Sequence, residues 1–169
     1  MIRLLGSVLA AGGAAWLGFH AAARLRRQVR TLDELIAGLE LLEQELEYAP
    51  PELEVLMEGL SARARGAARR LYTGFGRALV QPDRPTAAVL WEHCVTSLEE
   101  LTPEGKHCLA ALGEVLGRYD SREQRACTAA VRRRLERVRE ETAENCRLRC
   151  RTCQTIGLSG GAFLVILLL

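Results

Sequence analysis

SREQRACTAAVRRRLERVREETAENCRLRCRTCQ, residues 121–154, repeats a small or apolar side chain every three or four positions: Cys127, Val131, Leu135, Val138, Thr142, Cys146, Cys150 and Cys153. That interval follows the 3.6-residue turn of an α-helix and places all eight on one stripe, so the stretch reads as one long amphipathic helix. Ser121-xx-Gln124 at its start has the form of a capping box, in which a hydroxyl and an amide side chain satisfy free backbone donors.

Upstream, the same periodicity recurs. Leu32, Leu35, Ile36, Leu39, Leu42 and Leu46 form a helical stripe that ends before Pro50-Pro51, where the chain loses two amide donors. A second helix is expected through Leu53, Leu56, Leu60, Ala64, Ala67 and Leu71, with the Gly74-xx-Arg77 segment loosening its end. After Pro82 to Pro85 comes a third, with Ala87, Leu90, Trp91, Cys94, Leu98 and Leu101 as its stripe. Thr102-Pro103-Glu104 opens a fourth, Thr102 as N-cap and Pro103 at the first helical position. Cys108, Leu109, Leu112 and Leu116 form its apolar side, and Gly117 closes it as a left-handed cap. No stretch between the ends alternates cleanly enough to propose a strand. The expected fold class is therefore all-α, a helical bundle of about five soluble helices.

Both ends differ from this body. Of 23 Lys and Arg, all but Arg3 lie between Arg24 and Arg151, and all 21 acidic residues lie between Asp33 and Glu144. The expected division is an N-terminal transmembrane helix over residues 2–23, a body over 24–154 and a C-terminal transmembrane helix over 155–169. Gly6, Ala10, Ala14, Gly18 and Ala22, spaced four apart, would let another helix approach closely in lipid, and Gly157 and Gly161 repeat the device. Arg24, Arg26, Arg27 and Arg30 follow the first span, and Arg147, Arg149 and Arg151 precede the second. The positive-inside tendency then places the body in the cytoplasm and both termini on the opposite side, with the flanking arginines meeting anionic lipid headgroups. The tail is short: at about 1.5 Å per residue it makes roughly 22 Å of helix, against a hydrocarbon core of about 30 Å. A cleaved secretory signal is the competing reading of the N-terminus, and the immediate Arg24-Leu25-Arg26-Arg27 argues against it.

The near-balanced body charge and the lack of stacking aromatics beside Arg132-Arg133-Arg134 argue against a nucleic-acid partner. A solvated helix face, with Glu136, Glu140, Glu141 and Glu144 interleaved, explains the arginine run. Cys146-xxx-Cys150-xx-Cys153 has the spacing by which radical enzymes using S-adenosylmethionine hold an iron–sulfur cluster. That chemistry needs a loop and a large barrel after it, and only residues 154–169 follow. Four of the six cysteines fall on the final helical stripe, where free thiols pack as small hydrophobes in a reducing compartment. His93-Cys94 and His107-Cys108 are weak as ligand pairs, and no phosphate loop, nucleophile elbow or HExxH pattern occurs. No catalytic group, cofactor or metal is expected.

Taken in order and spacing, several pieces together resemble the stage III sporulation protein AB family of endospore-forming bacteria. They are Leu4-Leu5-Gly6 and Gly18-Phe19, then Leu39, Leu41-Leu42-Glu43-x-Glu45 and Tyr48, then Trp91. The block Leu112-Gly113-xx-Leu116-Gly117-xx-Asp120-xxx-Gln124 follows, and Gly157-xx-Gly160-Gly161 with Leu164 to Leu169 ends the chain. Ala49-Pro50-Pro51-Glu52-Leu53 stands where the family tends to place a Gly and a Thr-Pro-Leu turn, and the cysteines are an addition. The resemblance implies a non-enzymatic platform or adaptor in the apparatus that links mother cell and forespore, seated in the mother-cell membrane. It also implies a helical domain similar to the inner-membrane platform proteins of type II secretion and type IV pilus systems. The implied partners are a secretion-type ATPase and other stage III sporulation membrane proteins. Leu112, Gly113, Leu116, Gly117, Asp120 and Gln124 are the candidate partner-binding positions, with packing and helix capping as the competing explanation. A generic membrane-anchored helical adaptor and a cysteine- or metal-dependent enzyme are the rival classes, and homo-oligomerisation stays open.

Overall fold

The computed structural model describes the backbone of residues 2–47, 52–82, 85–116 and 120–168, and the side chains of residues 23–47, 52–82, 85–116, 120–149 and 152. The described chain is all-helical: α1 (Ile2–Glu45), α2 (Leu53–Arg63), α3 (Gly66–Leu79), α4 (Ala87–Thr96), α5 (Pro103–Ala110), a 3-10 turn (Ala111–Glu114) and α6 (Ser121–Leu168). It divides into two compact units, Met1–Arg27 with Glu141–Leu169, and Gln28–Glu140. Among the described residues no helix is long and apolar enough to cross a membrane. The side chains of the two expected spans, including Gly6, Ala10, Ala14, Gly18, Gly157 and Gly161, lie outside the described residues.

Within Gln28–Glu140, the stripes predicted from the sequence form the core. Leu32, Leu35, Leu39, Leu42 and Leu46 are buried along α1, as are Val131, Leu135 and Val138 along α6. The two helices run antiparallel here, because Asp33, Glu43 and Glu47 meet Arg139, Arg132 and Arg125 in that order. Trp91 of α4 is fully buried, with Phe75 of α3 edge-on at 5.1 Å between ring centroids and Tyr72 tilted at 6.5 Å. Burial pushes the Tyr72 phenol up from its ordinary value, so it stays neutral.

The expected second helix is two helices. Ala64 and Arg65 are extended, and Gly66 opens α3 with φ of +53°. The cause lies on α1: Glu34 Oε2 accepts the Ala67 amide at 2.8 Å and so caps α3 from 33 residues upstream. A Cβ at Gly66 would run into that carboxylate, and its φ is one that side-chain-bearing residues rarely adopt. The core periodicity survives the break, because Leu56, Leu60, Ala64, Ala67 and Leu71 are all buried. The expected loosening at Gly74 does not occur, since α3 continues through Gly74 and Gly76 to Leu79.

Other boundaries follow local chemistry. Thr102 Oγ1 accepts the Gly105 amide at 3.1 Å and Pro103 sits in the first turn, as the sequence predicts. The helix it opens ends in the 3-10 turn, and Gly117 lies outside the described residues. At the start of α6, Asp120 stands where the sequence leads us to expect Ser121. The first backbone bond of α6 runs from Gln124 N–H to the Asp120 carbonyl, and Asp120 Oδ1 accepts the Ser121 amide at 2.8 Å. A carboxylate outcompetes the neighbouring hydroxyl for the helix start because it is the stronger acceptor and carries the charge that the helix dipole favours.

Replacing Gly66 by Ala should cost about 1–3 kcal/mol, since it adds unfavourable backbone strain and displaces Glu34 from the cap. Urea unfolding of the variant beside wild type measures this; an unchanged midpoint would remove the cap from the account of the α2–α3 break.

Candidate partner-binding surface

The sequence singles out the corner from Leu112 to Gln124, and most of it points inward. Leu112 and Leu116 are essentially inaccessible and Gly113 is buried. Gln124 is 8% exposed, and its carbonyl accepts the Thr128 hydroxyl at 2.8 Å. Asp120 alone of the described candidates is exposed. The geometry has one origin: the buried Trp91 indole donates to the Leu109 carbonyl at 2.8 Å, which draws the end of α5 against α4. Gly113 is then pressed on Trp91, where an added Cβ would lie 2.9 Å from its Cδ1 and 3.1 Å from the Ala88 carbonyl oxygen. Leu112, Gly113 and Leu116 can therefore influence a partner only by holding this corner in place.

Charge is the other feature of the surface. Arg132, the first of three consecutive arginines, turns toward α1 and meets Glu43 at 2.7 Å and Glu40 at 4.0 Å, besides pairing with Glu136 on its own helix. The hydrogen bond that Arg132 donates to Glu43 is the main cause holding the guanidinium proton more tightly than usual. Arg133 and Arg134 are exposed, so the run splits between an α1–α6 clamp and a solvated face. Farther along, Arg139 meets Asp33 at 2.8 Å and Arg125 meets Glu47 at 3.5 Å. Exposed pairs of this kind contribute about 0–1 kcal/mol each and set register more than stability.

Arg65, just before α3, and Arg69, Arg70 and Arg77 on it are all exposed, and no acidic residue occurs from Arg65 to Val80. On α2, Glu52, Glu54 and Glu58 are exposed, and the single base, Arg63, pairs with Glu45 of α1. Reading the sequence for motifs misses this segregation. The signal was present as four arginines without an acid over one helix, but it needed the break at Ala64–Arg65 to become two separate faces.

Cys94, Cys108, Cys127 and Cys146 are free, Cys108 buried and the others half-buried. Burial pushes the Cys94 and Cys127 thiols up. For Cys108 burial again comes first, with Arg134 and Arg137 pulling down and Glu104 pushing up. A thiol held above its ordinary value is a poor nucleophile at neutral pH. Cys94 borders a cleft of about 260 Å³ whose charged groups are Arg70, Glu99 and Glu100, and Arg70 pairs with Glu100 at 3.0 Å. No cluster of three His, Cys, Asp or Glu able to hold a metal occurs among the described residues. Cys150 and Cys153 lie outside the described side chains.

Two substitutions separate packing from surface in the corner. Gly113→Ala should destabilise the fold by about 1–3 kcal/mol through overpacking against Trp91. Asp120→Ala should cost about 1 kcal/mol through loss of the α6 cap. Denaturant melts of both variants test this, and a Gly113→Ala protein as stable as wild type would show that the close approach is not limiting.

With this geometry described, comparison with known proteins gives a consistent result. The sequence pattern of the family described as stage III sporulation protein AB matches residues 3–169. A curated relative, stage III sporulation protein AB of Bacillus subtilis (strain 168), is 24% identical over 173 residues, covering 100% of both chains. A solved structure of stage III sporulation protein AB superposes with a TM-score of 0.62 at 20% identity, covering 72% of this chain and 97% of that one, which shows a shared fold. The match runs through the helical body and both apolar ends, and the chain belongs to the stage III sporulation protein AB family, with the sporulation-related role that membership carries.

Proposed function

We propose that this protein is a non-enzymatic platform of the mother cell to forespore apparatus, anchored in the mother-cell membrane at both ends and docking a secretion-type ATPase on its cytoplasmic body. The observation that carries the reading is the extent of the family match, which includes the uncharged tail and the apolar start as well as the body. A chain preserved in that layout is a helical body between two lipid-seeking segments.

The topology follows from charge: the arginines after residue 23 and before residue 155 favour a cytoplasmic body, with 2–23 and 155–169 as the spans and both termini across the membrane. Gly6, Ala10, Ala14 and Gly18 in the first span and Gly157 and Gly161 in the second give the two helices faces on which to approach each other or a membrane partner. A body tied at two points loses rotational freedom, so it can resist a force applied to its exposed side. The ATP chemistry then belongs to the partner. The exposed Asp120, at the corner that Trp91 fixes, is the position proposed to face that ATPase.

Protease digestion of sealed inside-out vesicles, with an epitope placed after Leu169, is the direct test. The body should be digested and the epitope protected; a protected body would place it outside and end the ATPase-docking reading. Asp120→Lys in the same membranes should weaken ATPase capture by roughly tenfold while leaving the body folded, and undiminished capture would remove this corner from the contact.

A further inference from the structure

Apart from Glu54 and Arg70, which have partners, the exposed glutamates of α2 and arginines of α3 enter no contact described so far, and they are complementary. α3 is capped internally by Glu34 and buries Ala67, Ala68, Leu71, Tyr72, Phe75 and Leu79, so its opposite side carries Arg65, Arg69, Arg70 and Arg77 to solvent. Arg70 has Glu100 as a partner. Arg65, Arg69 and Arg77 have no ion-pair partner among the described residues. α2 buries Leu56, Met57 and Leu60 and presents Glu52, Glu54, Val55, Glu58, Gly59 and Ala62 outward.

The acidic face of α2 also allows close approach. A Cβ added at Gly59 would meet nothing within 4 Å, and Ala62 lies beside it one turn on. On α3 the half-buried Gly76 is turned toward α2 instead, where an added Cβ would lie 3.3 Å from Met57 Cβ. Val55 on α2 is 55% exposed, and Val80, just after α3, is 71% exposed, so each face has one apolar residue that a partner would cover. No aromatic side chain lies among the outward residues of either helix, which disfavours a stacked single-stranded nucleic acid as the ligand of the arginines.

We propose that the basic face of α3 docks on the acidic face of α2 of a second copy of this chain. Charge complementarity selects the occupant: a short basic helix suits a short acidic one with an open, small-residue face, and every copy carries both. The match is one of unlike faces, so like faces repel and the pairing has a defined sense. The contact is electrostatic and exposed, so it is sensitive to salt. The screening length shortens from about 8 Å at physiological ionic strength to about 3 Å at 1 M. None of the residues involved belongs to the Asp120 corner, so this contact and an ATPase contact are independent.

The test uses two differently tagged full-length copies expressed together, solubilised from membranes and captured through one tag. Wild-type copies should co-purify at low salt and separate at high salt. Arg69→Glu with Arg77→Glu in both copies should reduce capture by about tenfold or more, as should Glu52→Arg with Glu58→Arg in both. Capture should return when one copy carries the α3 pair and the other the α2 pair. All four positions are exposed, and unchanged helical circular dichroism checks that the variants fold. Failure of wild-type copies to co-purify, capture indifferent to the reversals, or no return in the mixed pair would each overturn the proposal. In the last case the arginines would serve an acidic surface that is not α2, such as anionic lipid or another protein.

Discussion

The Trp91 indole is completely buried, and a buried N–H without an acceptor costs about 1–3 kcal/mol. The Leu109 carbonyl supplies that acceptor, and the rest of the corner depends on it. With the end of α5 held against α4, there is space for hydrogen but not for a methyl group at residue 113, and the chain tightens into a 3-10 turn there. Leu112 and Leu116 then fall on either side of Gly113 as core residues. Phe75 packs edge-on against the same ring from α3, so one aromatic side chain ties three elements together. Edge-to-face pairs add about 0.5–1.5 kcal/mol beyond the area they bury.

A second constraint acts at the other side of the body. Glu34 caps α3 from α1, and the left-handed Gly66 is the backbone that this carboxylate requires. The consequence for the surface is larger than one hydrogen bond suggests. Without the break, the glutamates and the arginines would follow one another along a single helix, the nearest two, Glu58 and Arg65, about 10 Å apart along its axis. Dividing the segment turns the helices relative to each other and leaves two faces of opposite sign. A fold constraint thereby becomes a property that a partner can read.

How much of this was legible follows the range of each interaction. Helical periodicity is local, so the stripes through Leu32 to Leu46, Val131 to Val138 and Leu56 to Leu71 predict the core correctly. The Thr102 cap is equally local, because donor and acceptor are three residues apart. The α2–α3 break was not legible, because its cause, Glu34, stands 33 residues from the amide that it accepts. The clamp from Arg132 to Glu43 spans 89 residues, and nothing near the arginine run distinguishes Arg132 from its neighbours. At the candidate site, resemblance to the family located a real structural feature, but resemblance weights packing and contact alike. Burial separates them, and it leaves Asp120 as the described candidate open to a partner.

The proposed attachment at both ends changes what a weak surface contact can do. An exposed ion pair contributes about 0–1 kcal/mol, and a few of them would hardly hold two freely diffusing chains together. Confinement to a membrane supplies an effective concentration that solution does not, and fixing the body at two points removes part of the orientational cost of docking. Arginine faces of modest strength then suffice for assembly, and their modest strength keeps it reversible. A stronger, apolar interface would aggregate before membrane insertion, since large exposed apolar patches are an association hazard for a chain in transit. Among the described residues the exposed large hydrophobics are instead scattered, at Val55, Val80, Val89 and Leu148, and it is charge that is gathered into faces. On that arrangement the membrane sets when the bodies meet, and the charges on α2 and α3 set how.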